Sequence, residues 1–202
     1  MTTTQPWSTM LAEGVDTVQD NFLNLTRRTT TSRHYLTGVV WGNLQTADYA
    51  RAMFRACETI FPVPGDIEAA VAKRVARGDL IGKDGREYHV VMRAPALKTR
   101  FAGMDDDVVR GQLTRLSEAL DLPGLRLGII PDRADLKTFP GTSFSILLDG
   151  RQVQIETHSA IHIISDPDEI GVYERAHAGL AESAVYGDEA RALIDAELAA
   201  IA

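Results

Sequence analysis

Glu156, His158 and His162 fall at even spacing within IETHSAIHIIS, residues 155–165, a stretch otherwise apolar and β-branched enough to form a strand. The chain has five histidines and places two of them here. On one strand face, a carboxylate and two imidazoles would form a general acid–base set, because imidazole titrates near neutrality and a nearby carboxylate fixes its tautomer. Metal ligation fits the same residues less well, since three ligands from one strand splay along its length instead of converging. GxxxxGK[ST], GxGxxG and HExxH are all missing, and GTSFS at 141–145 lacks the GxSxG of a nucleophile elbow. Neither a metal nor another cofactor is expected.

The element that must position these groups is a hairpin. TSFSILL and QVQIETH flank Asp149-Gly150, which predicts a two-residue reversal with Leu148 opposite Arg151, Ile146 opposite Val153, Phe144 opposite Ile155 and Ser143 opposite Glu156. One face then carries Phe144, Ile146, Leu148, Val153 and Ile155 and belongs to the core. The other carries Ser143, Ser145, Gln154, Glu156 and, by period two, His158. His162 joins them only if no turn intervenes, and Ser159-Ala160 offers one. Sequence leaves two readings open: the polar face meets solvent, or helices roof it and make it the floor of a pocket. In the second case Trp41, Asn43, Tyr49, Ser143, Ser145 and Gln154 are the residues able to line a ligand site. Of the other histidines, His89 is expected half-buried or at an edge, His177 in a helical core stripe, and His34 in a polar loop.

Around the hairpin, Leu11, Val15, Val18, Phe22 and Leu25 predict a helix over 8–25 with a narrow seam, suited to docking on the body or to pairing with a second copy. Residues 26–38 read as a loop or short extended segment. Further helices are expected from Thr46, from Asp66 to about Arg77, over 105–120, from Asp166 toward Ala184, and from Asp188 to the C-terminus. In the third of the six helices Ile67, Val71 and Val75 should face inward, with Lys73, Arg74 and Arg77 as a basic outer ridge. Strands are expected at 87–94 and 125–131. The predicted class is α+β, with a central, mostly antiparallel sheet of four to five strands, N-terminal helices and a C-terminal helical pair. Residues 1–40 form the first helix and its loop, and residues 41–202 the α+β body.

Composition narrows the function classes. Twenty-one basic against 28 acidic residues leave net charge −7, which repels a phosphate backbone, so direct nucleic-acid binding is not expected. The single cysteine, Cys57, excludes an intrachain disulfide and fits a reducing compartment. The start MTTTQPWSTM lacks the basic and apolar regions of a secretory signal, and no run is long enough for a membrane span. A cytoplasmic location without membrane association is the expectation.

WGNLQTADYARAMFRAC, residues 41–57, resembles an antitoxin-like domain of unknown function that follows an Xre-type helix-turn-helix in many actinobacterial regulators. Gly42, Leu44, Gln45, Thr46, Asp48, Tyr49, Ala50 and Arg51 match its pattern. Gln112, Leu113 and Leu116, then LRLGIIP, GTSFSILL, and Asp166-Pro167 with Glu169 and Tyr173, follow in the same order. Trp41, Asn43 and RAPAL at 93–97 depart from it; Glu156 matches, whereas His158 and His162 stand where small or apolar residues are usual. The resemblance implies a ligand-sensing or sequestering regulatory domain, expected to be dimeric and to act on a small molecule or a partner regulator. Too few residues precede the matching region for a helix-turn-helix, so DNA binding is not carried over. The alternative is a cofactor-independent isomerase, cyclase or hydrolase of specialised metabolism, using Glu156 with His158 and His162. A third reading, an interaction module acting through the 8–25 seam, needs no pocket.

Overall fold

A computed structural model describes residues 1–201, whose seven strands form one mixed sheet in the order β1-β7-β6-β5-β2-β3-β4. The strands are β1 (Thr2–Pro6), β2 (Thr31–Leu36), β3 (Glu87–Arg93), β4 (Leu125–Ile130), β5 (Phe144–Leu147), β6 (Gln152–Glu156) and β7 (Ala160–Ile164). The helices are α1 (Trp7–Met10), α2 (Val15–Arg27), α3 (Ala47–Cys57), α4 (Ile67–Gly78), α5 (Pro95–Lys98), α6 (Asp106–Ala119), α7 (Pro167–Glu182) and α8 (Gly187–Ala199). The α+β class stands, but the expected four- to five-stranded, mostly antiparallel sheet does not. Seven strands are present, and β2, β3 and β4 run parallel. Parallel neighbours require long crossovers, supplied here by α3 and α4 between β2 and β3 and by α5 and α6 between β3 and β4. Residues 1–40 contribute two strands to the same sheet as the body. Ala202, to which the last expected helix extended, lies outside the described residues.

Local chemistry accounts for the boundaries. Thr46, Asp66, Asp105 and Asp166 each accept a hydrogen bond from a first-turn amide of α3, α4, α6 and α7, and Pro167 occupies the first turn of α7. Gly14, at φ 104°, divides the expected first helix into α1 and α2, with a tight turn over Leu11–Glu13 between them. Residues 155–165 are not one strand, because Thr157 and Ala160 close a turn between β6 and β7.

Three apolar clusters hold the layers. On one face of the sheet, Val90, Met92, Leu127 and Ile129 pack with Leu113 and Leu116 of α6 and Ile194 of α8. On the other, Tyr35, Phe144, Ile146, Val153 and Ile164 meet Ile170 and Leu180 of α7. The third joins Val15 and Val18 of α2 to Ala50 and Phe54 of α3 and Ala70 and Val71 of α4. The α2 seam is therefore docked within its own chain. No helix among the described residues is long and apolar enough to cross a membrane.

Candidate functional site

The hairpin has the register its sequence predicts, with Ser145 opposite Gln154 and Ile146 opposite Val153. Its reversal is wider than two residues: Leu147–Gln152 is the last pair, and Leu148, Asp149 and Gly150 all take positive φ, 52°, 58° and 84°. An aspartate tolerates that backbone region, and Asp149 Oδ1 accepts the Thr30 and Thr31 amides at 2.9 and 2.8 Å. Those bonds, led by the one from Thr31, hold the Asp149 carboxyl below its ordinary range. They also tie the hairpin to β2, which pairs antiparallel with β5 and sets His34 opposite Ser145.

Helices roof this polar face. A cavity of about 280 Å³ lies between β2, β5 and β6 on one side and α2, α4 and the tight turn Gly42–Leu44 on the other. Ser143, Ser145, Gln154 and Glu156 form part of its floor, and Trp41 and Asn43 part of its wall. Phe22 and Leu25 of α2, with Leu36 and Val39, add apolar lining. Tyr49 does not reach it; that ring is buried against Phe101, centroids 5.6 Å apart.

The histidines separate. His158 is exposed in the turn between β6 and β7. His162 pairs across the strands with Ile155, which packs toward α7, so the turn has moved it to the opposite face of the sheet from Glu156. Its Nδ1 lies 3.1 Å from Thr4 Oγ1. Glu156, exposed at the cavity mouth, is the one member of the expected acid–base set that lines the cavity.

The imidazole and the positive charges inside the cavity come from residues assigned elsewhere by sequence. His34 lies on β2, 4% exposed, instead of in a loop. Its Nε2 is 2.8 Å from Ser32 Oγ and its Nδ1 2.8 Å from Ser145 Oγ, while its ring lies 4.5 Å from that of Trp41. Burial, with smaller contributions from His177 and Arg77, lowers the imidazole to about 3, so it is a neutral link between two hydroxyls. Ser143 is held likewise, its Oγ 2.9 Å from Thr37 Oγ1.

Arg74 and Arg77, expected on an outer ridge, point inward at 8% and 7% exposure, whereas Val75, expected inward, faces solvent. Arg74 Nη1 donates to Gln45 Oε1 at 2.9 Å, and its guanidinium stacks 4.3 Å from the Phe54 ring centre. Gln45 Nε2 donates to the Val40 carbonyl at 2.8 Å, while Gln112 holds the Leu44 carbonyl and the Thr46 amide. The segment 41–46 is thereby fixed as a cavity wall. Arg77 has no hydrogen-bond partner at Nε, and among the described residues no carboxylate lies within ion-pair distance of either arginine. Burial lowers Arg74 to about 10 and Arg77 to about 9, with Glu156 acting in the opposite direction, so both remain cationic at neutral pH. A signal for them exists in the sequence: Arg74 and Arg77 continue the helical phase of Ala70 and Val71.

Comparison with known proteins adds a family and distant shapes. A family description, Domain of unknown function (DUF5753), matches residues 19–196. No curated protein matches the chain. Among solved structures, NucT from Helicobacter pylori aligns at TM-score 0.46 with 11% identity, covering 93% of this chain and 99% of that one. A phospholipase D family member, Nuc from Salmonella typhimurium, gives TM-score 0.46 and 11% identity over 93% and 97% of the two chains. TrmBL2, an archaeal chromatin protein, reaches TM-score 0.39 at 10% identity over 88% and 48%. At these scores the likenesses assign no activity.

Proposed function

Because the chain belongs to the DUF5753 family, a domain of unknown function, its role has to be argued from its site, and we propose that it is a regulatory domain that senses or sequesters a small molecule. The observation that carries this is the roofing of the hairpin's polar face into a cavity of about 280 Å³. Ligand pockets combine apolar walls with a few fixed polar groups, and this one sets Trp41, Phe22 and Leu36 against Ser143, Ser145 and Arg77. The Xre-associated setting implied by the 41–57 motif makes sensing or sequestering the expected use, acting in the cytoplasm on a metabolite or on a partner regulator. A thermal-shift screen against a metabolite library tests it. At least one compound should raise the melting temperature of the wild type and of His158→Ala, whose side chain is outside the cavity, but not that of Val39→Phe, which fills it. Equal responses from all three proteins would place binding elsewhere.

An enzymatic reading draws on one contact, Ser145 Oγ at 2.8 Å from His34 Nδ1, a hydroxyl–imidazole pair inside the cavity. An imidazole lowered to about 3 is a poor general base at neutral pH. Covalent labelling of Ser145 by a fluorophosphonate would nonetheless establish an activated hydroxyl; no labelling is the expected outcome.

A further inference from the structure

We propose that the ligand of this cavity carries an oxyanion, a carboxylate or a phosphate, seated on Arg77 with an apolar body against Phe22, Leu25 and Leu36. This rests on the cavity being a ligand site and specifies what it takes. Arg77 is 7% exposed, lines the cavity, and has an orphaned Nε. A guanidinium is always charged and presents five donors in a planar fork that matches carboxylate or phosphate geometry. Buried charged groups in native proteins are almost always paired, so a guanidinium on a cavity wall with no carboxylate among the described residues within ion-pair distance marks where an anionic partner belongs. Arg74, three residues earlier on α4, is already engaged by Gln19 and Gln45 and adds a second buried positive charge without adding a competing anion.

The surroundings fit an incoming anion. Gly42 lets the wall pack closely on the guanidinium, since a Cβ there would sit 3.1 Å from Arg77 Nη2, and this close approach helps hold Arg77 in place. Glu156, the nearest acid on the cavity lining, is exposed at the mouth and beyond ion-pair distance. Ser143 and Ser145 are hydroxyls already oriented by Thr37 and His34, able to turn a donor toward a second oxygen. Beside its polar groups the lining carries Phe22, Leu25, Leu36, Val39 and Trp41, which favours an amphipathic molecule over a bare inorganic ion.

The test titrates the full chain with benzoate, phenyl phosphate, inorganic phosphate and, as the uncharged counterpart, benzamide, following melting temperature and tryptophan fluorescence. Benzoate or phenyl phosphate should stabilise the wild type in a saturable way, with benzamide roughly tenfold to a hundredfold weaker, as expected for losing one charge-assisted hydrogen-bond pair. Whichever of the two binds more tightly identifies the head group, and inorganic phosphate should bind more weakly than phenyl phosphate. Arg77→Met, which keeps the volume, should abolish the response and, without any ligand, melt higher than the wild type, because it removes a buried charge that has the Phe22 ring 5.4 Å away but no carboxylate among the described residues to neutralise it. A merely structural arginine would do the reverse on the second count. Arg77→Gln serves for the binding arm if the methionine variant does not fold. Benzamide binding as well as benzoate overturns the oxyanion while leaving the cavity a ligand site. No response to any of the four compounds overturns the proposal, and it leaves the library screen as the separate judge of the pocket.

Discussion

Ser145 is the hydroxyl on which the interior polar chain depends, because His34 has no solvent to fall back on. Replacing it with alanine leaves His34 Nδ1 buried without its 2.8 Å partner. Leaving a buried nitrogen unsatisfied costs about 1–3 kcal/mol, so Ser145→Ala should lower the urea midpoint without changing the slope of unfolding. A loss confined to a few tenths of a kcal/mol would mean that another group, or water, takes over the bond. The face that Ser145 shares with Ser143, Gln154 and Glu156 was legible from sequence, because strand periodicity and the Asp149-Gly150 reversal fix register even when the turn is wider than expected. Arg77 and His34 were not. Reading charge and imidazole as surface groups holds for most positions, and it fails where a cavity supplies a polar interior.

α4 shows the same failure at the scale of an element. Its buried stripe is Ala70, Val71, Arg74 and Arg77, so the helix turns its arginines toward the cavity and leaves Val75 outside. The helix can approach the 42–44 turn closely because Gly78 has no side chain: a Cβ there would lie 2.5 Å from the Asn43 carbonyl oxygen. The oxygen belongs to backbone and the Cβ position is fixed by the helix, so neither yields by a rotamer change. Gly78→Ala should therefore cost about 1–3 kcal/mol by overpacking, and it should weaken any ligand response by displacing the wall that carries Trp41 and Asn43. Unchanged stability and binding would show that α4 and this turn are not rigidly coupled. The strand without a sequence signal, β1, and the one that reads as loop or extended segment, β2, have physical reasons too. β1 is an edge strand exposed at every residue, held by its pairing with β7, so it carries no apolar alternation. β2 alternates in burial over Thr31–His34, but two of its three cavity-facing positions, Ser32 and His34 beside Leu36, are polar, which disguises a buried strand as a polar loop.

Across the whole molecule, three of the five histidines meet around the centre of the sheet. His34 faces the cavity, while His89 and His177 lie on the α7 side with ring centroids 4.7 Å apart. Burial is the leading cause in each case, lowering His34 to about 3 and His89 and His177 to about 4. Neighbouring positive charge adds to it, from His177 and Arg77 for His34 and from His177, Arg126 and Arg33 for His89; for His177, Arg33 and Arg126 lower it further while hydrogen bonds with the His89 and His34 backbone act in the opposite direction. Each folded-state value lies below the ordinary 6.5, so between the two the unfolded chain binds more protons than the folded one. The associated stability is fully present above pH 6.5 and is lost as pH falls toward 4 and then 3, with an effect on the order of a few kcal/mol. Because these groups share one neighbourhood, protonating one makes the next harder, and the fold should give way cooperatively in mild acid instead of shedding protons singly. Urea titrations at stepped pH should show the midpoint falling from pH 6.5 downward. His177→Leu removes a ring whose Nε2 has no partner and should shift the acid transition to lower pH. A midpoint that is flat between pH 7 and pH 4 would mean the imidazoles reach water when charged, and that the interior polar chain is less sealed than its burial indicates.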